Sequence, residues 1–254
     1  MALFIDGSIS GLDDLAAQDS QLLDIASQES INVTQKMALA QETIGLDLLS
    51  MLRGGESLSW PLWMIKEPRL DQVAVTPALK LWHTYLTLEL VYRDAYSDQL
   101  NDRYGAKRDQ FHLLAESARE RLIELGLGIV ADPVRQAATP QLIAVPGNLP
   151  DGTYYATMSW LDQNGQEGAS AVPEAITTSA SSFEVQPGNA PPNAAGWNVY
   201  VGTAPQSMYL QNTTLLAAGA VWLQPDVLTI GGAMPGTGQP PTCHKAVPRL
   251  LQRG

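Results

Sequence analysis

The side chains that most often carry catalysis or bind metals are few in this sequence and far apart. The three histidines, His83, His112 and His244, are too scattered for their spacing to predict a metal or catalytic cluster. Cys243 and His244 are neighbours, and adjacent side chains on an extended segment point to opposite sides, which disfavours a nucleophile pair. His83 lies on a predicted helix that is rich in aromatic residues, so we expect its side chain to be packed or hydrogen-bonded. We therefore expect no enzyme, no cofactor and no metal site.

Two segments have part of the composition of a ligand-binding loop. Residues 231–238 (GGAMPGTG) have the glycines of a phosphate loop but lack the following Lys-Ser or Lys-Thr pair. Residues 162–167 (DQNGQE) offer oxygen atoms to a calcium ion, yet Asp, Asn and Gly are also the common residues of a tight turn. We interpret both segments as loops, the second with a hairpin turn at Asn164-Gly165.

Tyrosine, arginine and aspartate are concentrated in residues 90–104. They could form a solvated helix face with ion pairs along the helix. They could equally form a subunit interface, because Tyr and Arg concentrate at the desolvated centres of protein contacts. The residues themselves leave both interpretations open. The residues that we predict for the interface are Trp82, Tyr85, Tyr92, Arg93, Tyr96 and Arg103.

The charge distribution changes near residue 135. Up to Arg135 the chain has 20 acidic and 12 basic residues, whereas from Gln136 onward it has 6 and 3. No Lys or Arg occurs in residues 136–244. The net charge of -11 disfavours a surface that grips nucleic acid or an anionic membrane. With one cysteine and no signal-like start, we expect the protein to be assembled in a reducing cytoplasm.

The two parts differ in hydrophobic periodicity. The first predicts amphipathic helices over residues 21–52, with a possible break near 31–34, over 76–104 and over 106–125. The helix over 76–104 is apolar nearly all round, which places it centrally in its domain or between subunits.

The second part predicts short strands separated by turn residues. The predicted strands lie at 142–145, 152–162, 172–177, 183–185, 197–201, 208–211 and 220–223. The pattern is typical of an immunoglobulin-like or fibronectin-type-III-like sandwich. Residues 231–254 contain Gly and Pro too often to pack as a strand and end in a basic run.

The predicted fold class is therefore α + β in separate domains. We expect an α-helical bundle over residues 1–135, an all-β sandwich over 136–235 and an extended C-terminal arm over 236–254.

Two sets of motifs resemble known proteins. Residues 73–86 (VAVTPALKLWHTYL), with LVYRDAY at 90–96 and LNDRY at 100–104, resemble the helical core of head-to-tail adaptor proteins of tailed bacteriophages. Residues 31–45 (INVTQKMALAQETIG) are similar to the first long helix of that family. The motifs YYATMSW, NGQEG and GWNVYVG, which begin at residues 154, 164 and 196, resemble the fibronectin-type-III-like domain of some phage neck and tail proteins.

The resemblance implies a structural virion protein in the neck between capsid and tail, assembled in the bacterial cytoplasm. Its partners would be identical copies in a ring, commonly of twelve, the portal protein, and tail or further neck proteins. DNA would pass through the ring without specific binding, which agrees with the acidic composition. No membrane partner is expected.

The C-terminal arm would then order on a neighbouring subunit or on the portal. The residues predicted to dock there are Lys245, Val247, Arg249, Leu250, Leu251 and Arg253. The alternative function is a binding module whose sandwich recognises a glycan or receptor through Trp160, Trp197 or Trp222. A tryptophan that is buried in the core cannot stack on a sugar.

Overall fold

A computed structural model describes residues 1–53, 68–99 and 102–247 of the chain. The protein has a mixed α + β fold, as the sequence predicts, with its long helices in the first half and most of its antiparallel strands in the second. Within the described residues, no helix is both long enough and apolar enough to cross a membrane.

The chain divides into two compact units. The helical unit consists of Gly7–Ala131 and the chain from Pro241 onward, and the β unit consists of Met1–Asp6 and Asp132–Pro240. The main boundary lies close to the predicted one at residue 135. The chain therefore passes between the units three times, whereas the sequence predicts a helical domain, a sandwich and an arm in simple succession.

Five α-helices and one short 3₁₀ helix, Leu70–Gln72, are described in the helical unit. The α-helices are α1 (Leu12–Gln18), α2 (Leu22–Gln28), α3 (Val33–Arg53), α4 (Pro77–Gln99) and α5 (Asp102–Leu125). The break predicted near residue 31 is confirmed, and Ser30, between α2 and α3, has a φ of 55°. The periodicity of the sequence does not predict α1, because seven residues are too few to establish a helical repeat.

Local chemistry accounts for two of the helix ends. Pro77 begins α4, and Thr76 Oγ1 accepts the N–H of Leu79 at 3.4 Å. Gly126 ends α5 with a φ of 82°, and its N–H donates to the carbonyl of Leu122 at 2.9 Å. A Cβ at position 126 would lie 2.7 Å from the carbonyl oxygen of Lys245, so both the backbone conformation and the approach of the C-terminal segment require glycine there.

A hydrophobic cluster joins all five helices. Its members are Leu15, Leu22, Ile25, Ala26, Val33, Met37, Leu88, Val91, Tyr92, Ala95, Tyr104 and Phe111. The largest share comes from α4, so this helix lies at the centre of the helical unit, in agreement with its nearly all-round apolar sequence.

A short two-stranded sheet holds the end of the described chain on the helical unit. Leu127–Ile129 (β1) pairs in antiparallel fashion with Cys243–Lys245 (β9), and Val73 forms an isolated bridge with Ile129. The prediction that residues 231–254 form no strand is wrong for β9. The three residues of β9 are themselves neither Gly nor Pro, so the Gly/Pro-rich composition of the preceding segment does not prevent them from pairing.

Seven strands lie in the β unit, and each overlaps a strand that the sequence predicts. They are β2 (Gln141–Pro146), β3 (Gly152–Leu161), β4 (Glu174–Thr178), β5 (Ser181–Gln186), β6 (Gly196–Gly202), β7 (Tyr209–Leu210) and β8 (Trp222–Leu223). They form two antiparallel sheets, one with strand order β2-β5-β8 and one with strand order β4-β3-β6-β7.

Both sheets contribute to one hydrophobic core. Alternate residues of β3 enter it, as expected from the two-residue period of a strand: Tyr154, Ala156, Met158 and Trp160. The other members are Val134, Ala137, Leu149, Ala171, Phe183, Val185, Trp197, Val199, Val201 and Trp222. The aromatic and β-branched residues that predict the strands therefore also fill the space between the sheets.

Candidate functional site

The residues of the predicted interface, on α4 and at the start of α5, are divided between the interior and the surface of the helical unit. Trp82 is 3% exposed and Tyr92 is 1% exposed, so neither side chain is available to a partner in this conformation. Tyr85 and Tyr96 are half-buried, whereas Arg93 and Arg103 are exposed. The structure thus brings the aromatic members of this set into the unit itself and leaves the two arginines at its surface.

A buried carboxylate explains much of this arrangement. Tyr92 Oη and Lys107 Nζ donate to the same oxygen of Asp19, at 2.7 and 2.9 Å, and the N–H of Gln21 donates to the other at 3.0 Å. Burial by itself would raise the pKa of Asp19, but the hydrogen bonds from Tyr92 and Lys107 outweigh it and hold that pKa below its usual value. Burial and the bond to Asp19 raise the pKa of Tyr92. This group, which we call the Asp19 bracket, joins the segment between α1 and α2 to α4 and α5.

Further contacts of the tyrosine- and arginine-rich run reinforce the same junction. Tyr85 Oη donates to Gln18 Oε1 at 3.3 Å, and Arg103 Nη2 donates to Gln21 Oε1 at 2.6 Å. The guanidinium of Arg108 lies 5.0 Å from the centre of the Tyr96 ring. The sequence leaves open whether this run is a solvated face or a subunit interface. In the structure, many side chains of this run form contacts between helices of one chain.

His83 has a structural partner on each ring nitrogen. The ring is fully buried; its Nε2 lies 3.0 Å from the carbonyl of Met37, and its Nδ1 lies 2.6 Å from Ser10 Oγ. Because a carbonyl can only accept, Nε2 carries the proton and Nδ1 accepts from the serine hydroxyl. Burial lowers the pKa of His83, which favours this neutral form. The expectation of a packed, hydrogen-bonded histidine is confirmed.

Ser10 is the partner that the sequence does not predict. A serine bonded to a histidine is the arrangement that hydrolases use to activate a nucleophile. Here Ser10 is only 2% exposed and His83 is fully buried, so a substrate could not reach the hydroxyl in this conformation. The pair instead holds Ser10, which precedes α1, against α4, with Met37 of α3 as the third contact.

Lys245, predicted for a docking arm, is buried in its own chain. Its ammonium group donates to the carbonyl of Met51 at 3.0 Å and to that of Leu52, near the C-terminal end of α3. A cation there satisfies free carbonyls and interacts favourably with the helix dipole, and burial lowers the pKa of Lys245. Val247 is half-buried. The other predicted arm residues, Arg249, Leu250, Leu251 and Arg253, lie outside the described residues.

Two carboxylates of the β unit, Glu167 and Asp162, accept hydrogen bonds from hydroxyl and backbone groups respectively. Glu167 accepts from Ser159 Oγ and Tyr200 Oη, and burial together with this bond raises the pKa of Tyr200. Asp162 Oδ1 accepts the N–H groups of Asn164 and Gln166, both at 2.8 Å.

The loop over residues 162–167 is therefore a turn that Asp162 stabilises, and Gly165 adopts the positive φ, 74°, that the sequence predicts there. Across the described part of the chain, no three His, Cys, Asp or Glu side chains are grouped so that they could hold a metal ion.

The tryptophans considered for glycan binding lie in the core of the β unit. Trp160 and Trp197 are almost fully buried, and Trp222 is 9% exposed. Trp197 Nε1 donates to the carbonyl of Ala217 at 3.0 Å. None of the three tryptophans has an exposed ring face on which a sugar could stack.

The chain matches no protein-family model, no curated protein and no solved structure.

Proposed function

We propose that this chain is a structural virion protein, one subunit of a ring-shaped head-to-tail adaptor of a tailed bacteriophage. In this role it docks on the portal, extends the DNA channel and provides the surface on which the tail attaches. It acts through contacts between proteins, without catalysis.

The observation that carries the proposal is that the polar side chains best suited to catalysis form hydrogen bonds within the chain instead. The Asp19 bracket, the pair of Ser10 and His83, and the buried ammonium of Lys245 each join segments that are distant in sequence. Each donates to or accepts from another part of the same chain and is largely shielded from solvent. Such bonds make a unit rigid, which suits a component that must transmit attachment between two large assemblies.

The resemblance supports the same function. The motifs that resemble adaptor proteins, at residues 73–104, supply α4 and the start of α5, which form the centre of the helical unit. The motifs that carry the resemblance therefore also supply core residues of the helical unit.

For the β unit we propose the finer assignment of an immunoglobulin- or fibronectin-type-III-like sandwich. The neighbours β3-β6-β7 correspond to strands C, F and G of that fold, β4 to an added C′ strand, and β2-β5 to strands B and E. The shared core of the two sheets supports this correspondence. The strand β8 lies on the free side of β5, where the immunoglobulin fold places strand D.

Charge supports the passage of DNA through such a ring. The net charge of -11 per chain is multiplied by the number of copies, so an acidic bore would repel phosphates and keep the channel slippery.

Electron microscopy would test the proposal. The purified chain is imaged in negative stain, alone and mixed with heads of its phage prepared without it. We expect rings with a hole about the width of duplex DNA, or rings that cap the heads, and restored tail attachment. A chain that remains monomeric and leaves the heads uncapped and tailless would overturn the proposal.

A further inference from the structure

The helix α3 has a second regular row of side chains that the described residues of its own unit do not cover. The row repeats at alternating intervals of four and three residues, and every member is exposed. Its members are Gln35, Leu39, Glu42, Leu46, Leu49 and Arg53. At 3.6 residues per turn these positions lie along one stripe of the helix, which we call the outer seam. Leu39, Leu46 and Leu49 are 40%, 71% and 36% exposed.

The outer seam is distinct from the side of α3 that packs in the helical unit. That side is formed by Met37, Ala40, Ile44, Leu48 and Met51, all of them buried. One side of the helix is therefore already packed, and the other repeats the spacing with which helices pack against each other in coiled coils and bundles. The spacing of the outer seam accordingly fits another helix.

Charge favours the outer seam over α5 as a surface where two copies of this chain could meet. The outer seam carries one acidic and one basic side chain, Glu42 and Arg53, and is neutral in sum. The exposed positions of α5 that follow a similar spacing include Asp109, Glu116, Glu120 and Glu124. Because each chain has a net charge of -11, two copies repel each other where acidic surfaces meet and can approach closely at a neutral one.

We propose that the outer seam of α3 is a subunit contact, in which one copy of this chain receives a helix of the next copy. The inference rests on the proposed function, since it names the surface through which the ring closes. A ring contact joins two different faces, so the seam is one half of the interface. It replaces Trp82 and Tyr92, which the helical unit buries, as the apolar part of that contact.

A matched pair of substitutions would test this inference. Leu46→Glu places a charge in the outer seam, and Leu113→Glu places the same charge on α5 at a leucine that is 69% exposed. Both leucines are largely exposed, so neither change should unfold the subunit, and circular dichroism melts would verify this. Assembly is measured by sedimentation velocity over a range of concentrations and by negative-stain imaging on heads that lack the protein.

We expect Leu46→Glu to weaken self-association by more than about tenfold, because an unpaired carboxylate would be buried at the contact, while Leu113→Glu assembles like the wild type. Assembly that Leu46→Glu leaves unchanged would overturn the seam but leave the proposed function standing. A wild-type chain that forms no oligomer, free or on heads, would overturn both. Equal loss of assembly in the two variants would also overturn the seam as the specific contact, because the seam would then be no more sensitive to a new charge than the acidic face of α5.

Discussion

The helical unit and the β unit stabilise their carboxylates in different ways. In the described residues, the helical unit has six ion pairs between Lys or Arg and a carboxylate, among them Lys107 with Asp19 and Lys80 with Asp14. The β unit has eight carboxylates but one arginine, Arg135, and no lysine. Several of these carboxylates, such as Asp162 and Asp226, accept backbone N–H groups of loops.

This contrast shows that the same side chain can do two kinds of structural work. In the helical unit the charge of a carboxylate matters, because a cation lies beside it. In the β unit the carboxylate serves chiefly as a hydrogen-bond acceptor for a turn or a hydroxyl group. Its charge is destabilising there, because the acidic groups repel one another and have few basic partners.

The largest effect should follow the loss of the Asp19 bracket. Asp19→Ala leaves Tyr92 and Lys107 without their acceptor in a buried site, and we expect the free energy of unfolding to fall by about 3 kcal/mol. Urea denaturation followed by circular dichroism would measure it. The matched control is Asp109→Ala, which removes an exposed partner of Arg108 and should cost less than about 0.5 kcal/mol. Equal costs for the two variants would contradict a special role of the bracket.

The corresponding loss of a carboxylate in the β unit should lower stability less and should be easier to rescue with an amide. Glu167→Ala leaves the hydroxyls of Ser159 and Tyr200 unpaired, at a cost of about 2 kcal/mol. Glu167→Gln should recover more than half of that loss, because an amide oxygen still accepts, whereas Asp19→Asn should recover little because Lys107 needs the charge. Denaturation curves of the four variants would show the contrast. It would disappear if both amides restored stability equally.

The pH dependence of stability near neutral pH should come from His83 in the helical unit and from the amino group of Met1, because burial lowers the pKa of both. Because burial lowers the folded pKa of His83, the unfolded chain binds more protons than the folded one as the pH falls below about 6.5. The free energy of unfolding should therefore decrease from about pH 6.5 downward, until the pH passes the folded pKa. Thermal melts between about pH 7.5 and about pH 5 would measure the slope. His83→Gln should make the slope shallower, and a slope that this change leaves unaltered would contradict the prediction.

Salt should have the smallest effect, with opposite signs in the two units. Raising sodium chloride from about 0.05 M to about 0.5 M screens the exposed ion pairs of the helical unit, at a cost of a few tenths of a kcal/mol for each pair. The same change relieves repulsion among the carboxylates of the β unit. Hydrogen exchange resolved by unit should show faster opening of the helices and slower opening of the sheets. A common shift in both units would contradict the contrast.

Local patterns predict much of the fold. The helices α3, α4 and α5 follow from apolar spacing and from stop and start signals such as Thr76-Pro77 and Gly126. The strands of the β unit follow from alternation and turn residues. In both cases the information lies within a few neighbouring positions, which is the range over which periodicity and capping act.

The candidate sites were predicted less completely. The sequence singles out His83, Tyr92 and Lys245, but it gives their partners only once the chain path is known. It also assigns Trp82 and Tyr92 to a surface, because a helix that is apolar all round fits a domain centre and a subunit interface equally well. The outer seam of α3 has a regular spacing, but spacing alone does not tell which of two rows faces the core.

By itself, the sequence determined which segments become helices and strands, the division of charge near residue 135 and the acidity of the whole. Only the tertiary structure decided that Asp19 meets Tyr92, that Ser10 meets His83, and that Lys245 reaches α3 across 194 residues of sequence. Helices and strands arise from interactions between near neighbours. Pairing of buried polar groups depends instead on how packing brings distant segments together, and that is settled by the fold as a whole.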